Sequence, residues 1–398
     1  GQLLLLKYLD FFASSAQALA RLFGSESALP ALSLLVPIGL SFWTLQLIAY
    51  LVDVAYGRRR PPDSALDYAA FVAFFPQIVS GPIARGDLID QLQVARRADT
   101  DLWARGGFEF LLGYVLCFLV GATLATVVDP VHAQPGSYDT ASHWLALYAY
   151  PPQIFCDFAG YSLMALGLGR LFGLQLIENF RFPFLARNIS EFWKRWHVSL
   201  TNFLFDYIYT PLVTGSGWMR GRLGLGLFLV LLVSGLWHGA TWMFVLWGAL
   251  HGLVLMLAHR WDEFYRSLCR RNRAWVARRR SRAYVACAWM LTQGWFMFSL
   301  IPFRAPDLPG AGAFVAGLAG DGGTQSMAFG GIAEQLNLAA CLFLVPVYHL
   351  LATQRGQRWV ATLWRTPAAL RGIAYGAVIV YLFLMQPLAE GTFVYANF

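Results

Sequence analysis

The chain has 398 residues, 58% of them hydrophobic and only 13% charged; a water-soluble domain carries roughly a quarter of its residues as charges, so a soluble globule is excluded. The net charge of +8 falls in short clusters between apolar runs, the distribution that orients membrane spans and not the continuous basic face of a nucleic-acid-binding protein. Five cysteines, Cys117, Cys156, Cys269, Cys287 and Cys341, fall singly with no ligand spacing, so neither a disulfide framework nor a metal centre is indicated.

The chain opens at Gly1 and enters an apolar run at once, from which we expect a single membrane domain over 1–398 that lacks some N-terminal helices. In chain order, runs at 32–52, 108–128, 223–258, 283–303, 336–351 and 373–388, free of Asp, Glu, Lys and Arg but for Glu109, approach or exceed the ~20 residues that cross a bilayer core. With shorter companions they predict about eight to ten helices in an all-α polytopic bundle. Pro61-Pro62, Pro135-Gly136, Pro151-Pro152 and Pro309-Gly310 mark short loops, and His132 and His143 are placed in a polar loop. Arginine clusters at 58–60, 85–105, 220–222 and 260–282 are expected on the cytoplasmic side, the last one against anionic lipid headgroups. Lys7 and Lys194 are the only lysines, a bias that base composition explains without any special arginine chemistry.

Three stretches carry residues suited to chemistry. Asp157, an acid in the aromatic segment 153–162, suits orienting a histidine or binding a hydroxylated substrate, and equally a helix cap. Asn188 with Glu191 three residues on has capping-box spacing and predicts a helix start. From there Phe192, Trp193, Trp196, Leu200, Phe203, Leu204 and Tyr207 recur at helical spacing, with Lys194, Arg195 and Asn202 on another face and His197 at the edge of the stripe. Such a helix fits either an interfacial aromatic belt or a surface that presents His197 to a substrate.

The run 223–258 as one helix would reach about 54 Å, against a core of about 30 Å. It must turn, and Ser234-Gly235-Leu236-Trp237-His238-Gly239-Ala240 is the place, because arginines stand at both outer ends. His238 then lies deep in the membrane, where an ionisable group lines a polar cavity or meets a partner. An imidazole, with an ordinary pKa of about 6.5, suits proton transfer near neutrality; a neutral ring bonded to a neighbouring helix is the bland alternative. His251, about 20 Å further along a continuous helix, suits helix packing; His259 abuts the arginine cluster and His349 ends an apolar run, and both suit interface or loop positions. No phosphate-binding glycine loop, HExxH or Gly-x-Ser-x-Gly motif is present.

At these residues the sequence resembles the membrane-bound O-acyltransferase family, in its bacterial branch that acetylates alginate and cellulose. The stretches that carry the resemblance are PIGLSFWTLQLIAYLVDV (37–54), FFPQIVSGPIAR (74–85), QIFCDFAGYSLMALGLGRLFG (153–173), ENFRFPFLARNISEFWKRWHVSL (178–200), DYIYTPL (206–212), SGLWHGATWMFVLWGALHG (234–252) and FVYANF (393–398). The resemblance implies that His238 is the intramembrane catalytic histidine and His197 the second required one. Trp237, Arg195, Asp157, Tyr161 and Asn202 are then the residues expected to bind substrate. Leu163 stands where the family often has an aspartate, which removes a polar role there.

The resemblance further implies a bundle around a central funnel in a bacterial inner membrane. Acetyl-CoA would be the donor, no cofactor or metal would stay bound, and a periplasmic acetyltransferase partner would complete O-acetylation of an exopolysaccharide. D-Alanyl transfer to teichoic acid is a more distant possibility within the family. A secondary transporter or channel would need intramembrane acids or unwound repeat helices that the sequence does not display. A non-catalytic scaffold of a polysaccharide export complex would tolerate loss of both histidines.

Overall fold

The computed structural model describes residues 2–24, 37–94, 99–329 and 331–385. The terminal FVYANF motif and parts of the expected runs 32–52 and 373–388 lie outside the described residues. Among the described residues the fold is all helix and turn, without a strand.

A π-helical turn (Leu4–Tyr8) leads into α1 (Leu9–Leu22), followed by α2 (Leu40–Ala55), α3 (Ala65–Val72), α4 (Asp87–Leu92) and α5 (Thr100–Tyr114). A second π turn (Val115–Gly121) joins α5 to α6 (Ala122–Ala133), and α7 (Thr140–Leu171) follows. Then come α8 (Ile189–Trp193), α9 (Val198–Leu204), a third π turn (Phe205–Tyr209), α10 (Thr210–Thr214), α11 (Leu223–His238) and α12 (Trp242–Arg271). The remainder comprises α13 (Ala274–Arg280), α14 (Arg282–Arg304), α15 (Leu308–Ala319), α16 (Ile332–Leu350), α17 (Gln354–Arg365) and α18 (Ala368–Met385). Five stretches are long and apolar enough to cross a bilayer: 100–133, 140–171, 242–271, 282–304 and 332–350; α2, α11, α15 and most of α18 are shorter apolar helices. The chain is a polytopic helical membrane protein, as its composition requires.

Central in the bundle, α7 contacts α5, α6, α14, α15 and α16. Its 32 residues amount to about 48 Å. Pro151 and Pro152 lie inside it and do not form the loop expected of them; in a bilayer the backbone must keep its bonds internal, so a helix continues through prolines that would end it in water. His143 consequently sits in the first turn of α7, fully buried, and His132 in the last turn of α6, neither in a loop. Likewise Pro309-Gly310 opens α15, capped by Asp307, where Pro is favoured.

Glycines let helices touch backbone to backbone. Gly106 and Gly113 of α5 face Gly167 and Gly160 of α7, and a Cβ on any of the four would collide with a carbonyl oxygen of its opposite number. Gly235 of α11 and Gly248 and Gly252 of α12 are used in the same way. The run 223–258 does break, at Gly239–Thr241, into antiparallel α11 and α12.

Contacts sort the helix ends into two groups. Trp103 near the start of α5 donates to the Leu171 carbonyl at the end of α7 (3.1 Å), and Gly224 at the start of α11 packs near Met256 and His259. At the other end, Val131, Ala146, Leu147, Met243, Ile301 and Phe314 form a separate apolar cluster from the end of α6, the starts of α7 and α12, the end of α14, and α15. His238, the last residue of α11, belongs to this second half.

Candidate active site

His238 closes the last turn of α11, where helical carbonyls have no partners in their own helix. Two residues from the distant N-terminal turn supply them. Lys7 donates from Nζ to the carbonyls of Trp237 (2.8 Å) and His238 (3.3 Å) and to Ser41 Oγ (3.0 Å), and the Tyr8 hydroxyl donates to the Leu236 carbonyl (2.8 Å). The His238 ring lies in an aromatic box, with centroids 5.0 Å from Trp237, 5.1 Å from Trp247 and 5.2 Å from Phe303.

His197 is reached differently. The helix begins where the spacing predicted, with Asn188 accepting from the Glu191 amide (2.8 Å) and Glu191 reaching back to the Arg187 amide (2.9 Å). It does not run on through 202. Five residues later it ends, and His197 adopts φ 46°, ψ 55°, the left-handed region, as the N-cap of α9. A non-glycine residue held there costs about 1–3 kcal/mol, so the surroundings must impose it. They do so through Asn179, whose carbonyl accepts from the Val198 amide (2.9 Å). Its side-chain oxygen accepts from Ser199 N (3.2 Å) and Ser199 Oγ (2.6 Å), and its Nδ2 donates to Ser162 on α7 (3.1 Å). Ser199 Oγ in turn accepts from the Ile83 amide (3.0 Å). Tertiary bonds from three segments thus override the helical periodicity and turn His197 inward, leaving it 1% exposed.

The two helix ends meet on one ring. Trp237 stands 5.9 Å from His197 and 5.0 Å from His238, with Phe42 (6.1 Å) and Phe158 (4.5 Å) against His197. Among the described residues, His197 Nε2 and Trp237 Nε1 are buried without a hydrogen-bond partner. Trp193 Nε1, Trp247 Nε1 and Ser234 Oγ share this property, so unpaired polar atoms are spread along the bundle interior and are not confined to this pair.

The remaining expected substrate contacts divide. Asn202 lines a cavity of about 620 Å³ together with Asp53, Arg58, Arg59, Arg85, Asp87, Ser199, Asp206 and Tyr207. The cavity sits at the end of the bundle where α7 finishes and α11 begins, and it carries charge. Arg59 pairs with Asp90 (2.7 Å), Arg85 with Asp206 (2.7 Å), and the Tyr207 hydroxyl donates to Asp53 (2.7 Å) beneath the Arg85 guanidinium. Burial pushes the Asp87 carboxyl above the usual carboxylate range. The lining stops at Ser199 and Asn202 and includes neither His197 nor His238, so the expected funnel reaches toward the histidines without ending at His238.

Arg195 is engaged elsewhere, with Glu191 (2.8 Å) and the Arg181 carbonyl (3.0 Å), where it fastens the 178–187 strap to α8. Asp157, buried on α7, presses its carboxylate on Gly121 at the π turn, and Tyr161 reaches the backbone of Val79 and Ser80. His251 faces His238 across the α11–α12 turn through Trp247 (4.6 and 5.1 Å), so the distance along one helix did not apply. Its Nε2 pairs with Ser299 (2.8 Å), the packing role expected of it. Asn179, Ser199 and Lys7 were not singled out from the sequence. Lys7 alone left a trace, as one of two lysines among 30 basic residues.

Comparison with known proteins follows the same residues. The profile of the membrane-bound O-acyltransferase family matches residues 42–301, more than half of the chain. A probable alginate O-acetylase of Pseudomonas putida is 39% identical over 254 residues, 63% of this chain and 51% of that protein. A peptidoglycan O-acetyltransferase of Helicobacter pylori is 31% identical over 350 residues, 80% of this chain and 62% of that protein. A teichoic acid D-alanyltransferase of Bacillus subtilis is 27% identical over 289 residues, 69% and 71% of the two chains. The chain spans about half the length of the alginate-type relatives that it matches.

Proposed function

Since the chain belongs to the membrane-bound O-acyltransferase family, we propose that it moves an acetyl group from a cytosolic thioester toward the hydroxyl of an extracytoplasmic polysaccharide. The observation that carries this reading is the aromatic seam His197, Trp237, His238, whose first member stands two residues before Ser199 in the lining of the arginine-bearing cavity. His238 takes the acceptor proton as its oxygen attacks the thioester carbonyl; the C–O bond forms, the C–S bond breaks, and the imidazolium returns the proton to the leaving thiolate. Trp237 Nε1, and His197 Nε2 in the tautomer that carries the ring proton there, donate to the carbonyl oxygen of the acyl group in transit.

Acetyl-CoA is the donor we favour. Arg58, Arg59 and Arg85 at the cavity suit its phosphates, once they exchange their carboxylate partners Asp53, Asp90 and Asp206. An exopolysaccharide of the alginate type is the acceptor we favour on the names of the most similar relatives, reached directly or through a periplasmic acetyltransferase partner, in a bacterial inner membrane.

The test is acetyl transfer from radiolabelled acetyl-CoA by membranes holding the protein with its polymer. His238→Ala should lower the rate by about 10²–10⁴ with the protein still inserted. Full activity in both His238→Ala and His197→Ala would leave a scaffold; solute movement without acetyl transfer would leave a transporter; label appearing in peptidoglycan instead would change the acceptor.

A further inference from the structure

We propose that Lys7 is a positioning residue for His238, holding the last turn of α11 closed so that the imidazole keeps its place; this rests on the catalytic reading of His238 above.

Three acceptors converge on one ammonium group: the carbonyls of Trp237 (2.8 Å) and His238 (3.3 Å) and Ser41 Oγ (3.0 Å). An ammonium has three donors radiating from a point and meets three such acceptors at once, whereas a guanidinium presents a planar fork. In a chain that otherwise uses arginine at all but one basic position, a lysine here matches the geometry. The adjacent Tyr8 hydroxyl takes the Leu236 carbonyl (2.8 Å), so one N-terminal turn satisfies the final three carbonyls of α11. These are the groups that carry the negative end of the helix dipole and that a single cation satisfies best.

The third acceptor extends the effect. Ser41 precedes Phe42, whose ring packs on both Trp237 (5.2 Å) and His197 (6.1 Å). Lys7 therefore ties α2 and α11 together at the point where the two histidine rings are set. Without it the carbonyls of Trp237 and His238 lose their donor inside the bundle, the last turn opens, and the ring shifts. A displacement of about 1 Å at a reacting group costs about 100-fold in rate.

The experiment uses the full chain with its polymer and radiolabelled acetyl-CoA. Lys7→Ala should lower kcat at least tenfold with donor KM within twofold of wild type. Added propylammonium, which carries N–H donors, should restore activity at least fivefold, and tetramethylammonium, which has the charge without donors, should not. Lys7→Met serves if Lys7→Ala does not accumulate, with the same kcat loss expected. Unchanged kcat, a loss confined to KM, or equal rescue by both cations would overturn the proposal. If wild-type protein transfers no acetyl, the functional reading fails and a second readout still decides: diethyl pyrocarbonate should label His238 several-fold faster in Lys7→Met than in wild type, and equal labelling would overturn the positioning role.

Discussion

His238 and His197 both sit at helix termini, yet they are set by opposite means. His238 ends a helix that the sequence itself stops, with glycine following and a lysine from far away satisfying the exposed carbonyls. His197 interrupts a stretch whose own periodicity would continue, and it is held in a left-handed conformation by bonds from Asn179 and Ser199. The comparison teaches that a side chain can be fixed in a bilayer bundle either by finishing a helix or by breaking one. The second route concentrates the cost of placement in a few polar contacts.

Substitutions at the two ends should therefore behave differently. The largest contrast is expected at His197. Asparagine tolerates the left-handed region, so His197→Asn should keep the turn, leave thermal stability within about 1 kcal/mol of wild type and still lose most acetyl transfer. His197→Ala should lose activity and also stability. If His197→Asn transfers acetyl at the wild-type rate, the ring plays no part and the turn alone matters.

Next in size is Asn179→Ala, which removes the acceptor for Ser199 and the donor to Ser162. Buried polar groups left unpaired cost about 1–3 kcal/mol each, so the melting temperature should drop clearly and activity about tenfold. Labelling of His238 by diethyl pyrocarbonate should stay unchanged. A change there would show that the two ends are not independent.

The smallest effect is expected from Gly235→Ala, where a Cβ would run into the Phe244 carbonyl and Gly248. Overpacking of about 1–3 kcal/mol should lower the melting temperature by pushing α12 away from α11, with the His197 turn untouched. A melting temperature equal to that of wild type would mean that the α11–α12 contact is looser than described.

What could be read ahead follows the same division. Membrane class and the turn in 223–258 follow from hydropathy, span length and two flanking glycines, all local signals. The break at His197 does not, because the residues that cause it lie 18 positions upstream, on α7 and near Ile83, and a periodic pattern carries no record of them. Pro151-Pro152 misleads for a related reason: proline signals a turn only where water can take up the freed carbonyls. Arg195, two positions before His197 in sequence, is bonded in space to Glu191 and the Arg181 carbonyl of the strap, a contact that the spacing alone does not reveal.

The glycine contacts between α5 and α7 bear on how the protein can move. Two backbones lying carbonyl to glycine at two levels, Gly106 against Gly167 and Gly113 against Gly160, are too close to slide or rotate past one another without a backbone clash. This pair, and α11 with α12 in the same manner, acts as a rigid chassis. Any breathing that admits a bulky donor falls to the short segments between them, the strap at 178–187, the α8–α9 corner and the π turn that follows. Crosslinks across those segments, and not across the chassis, are the ones that should stall the catalytic cycle.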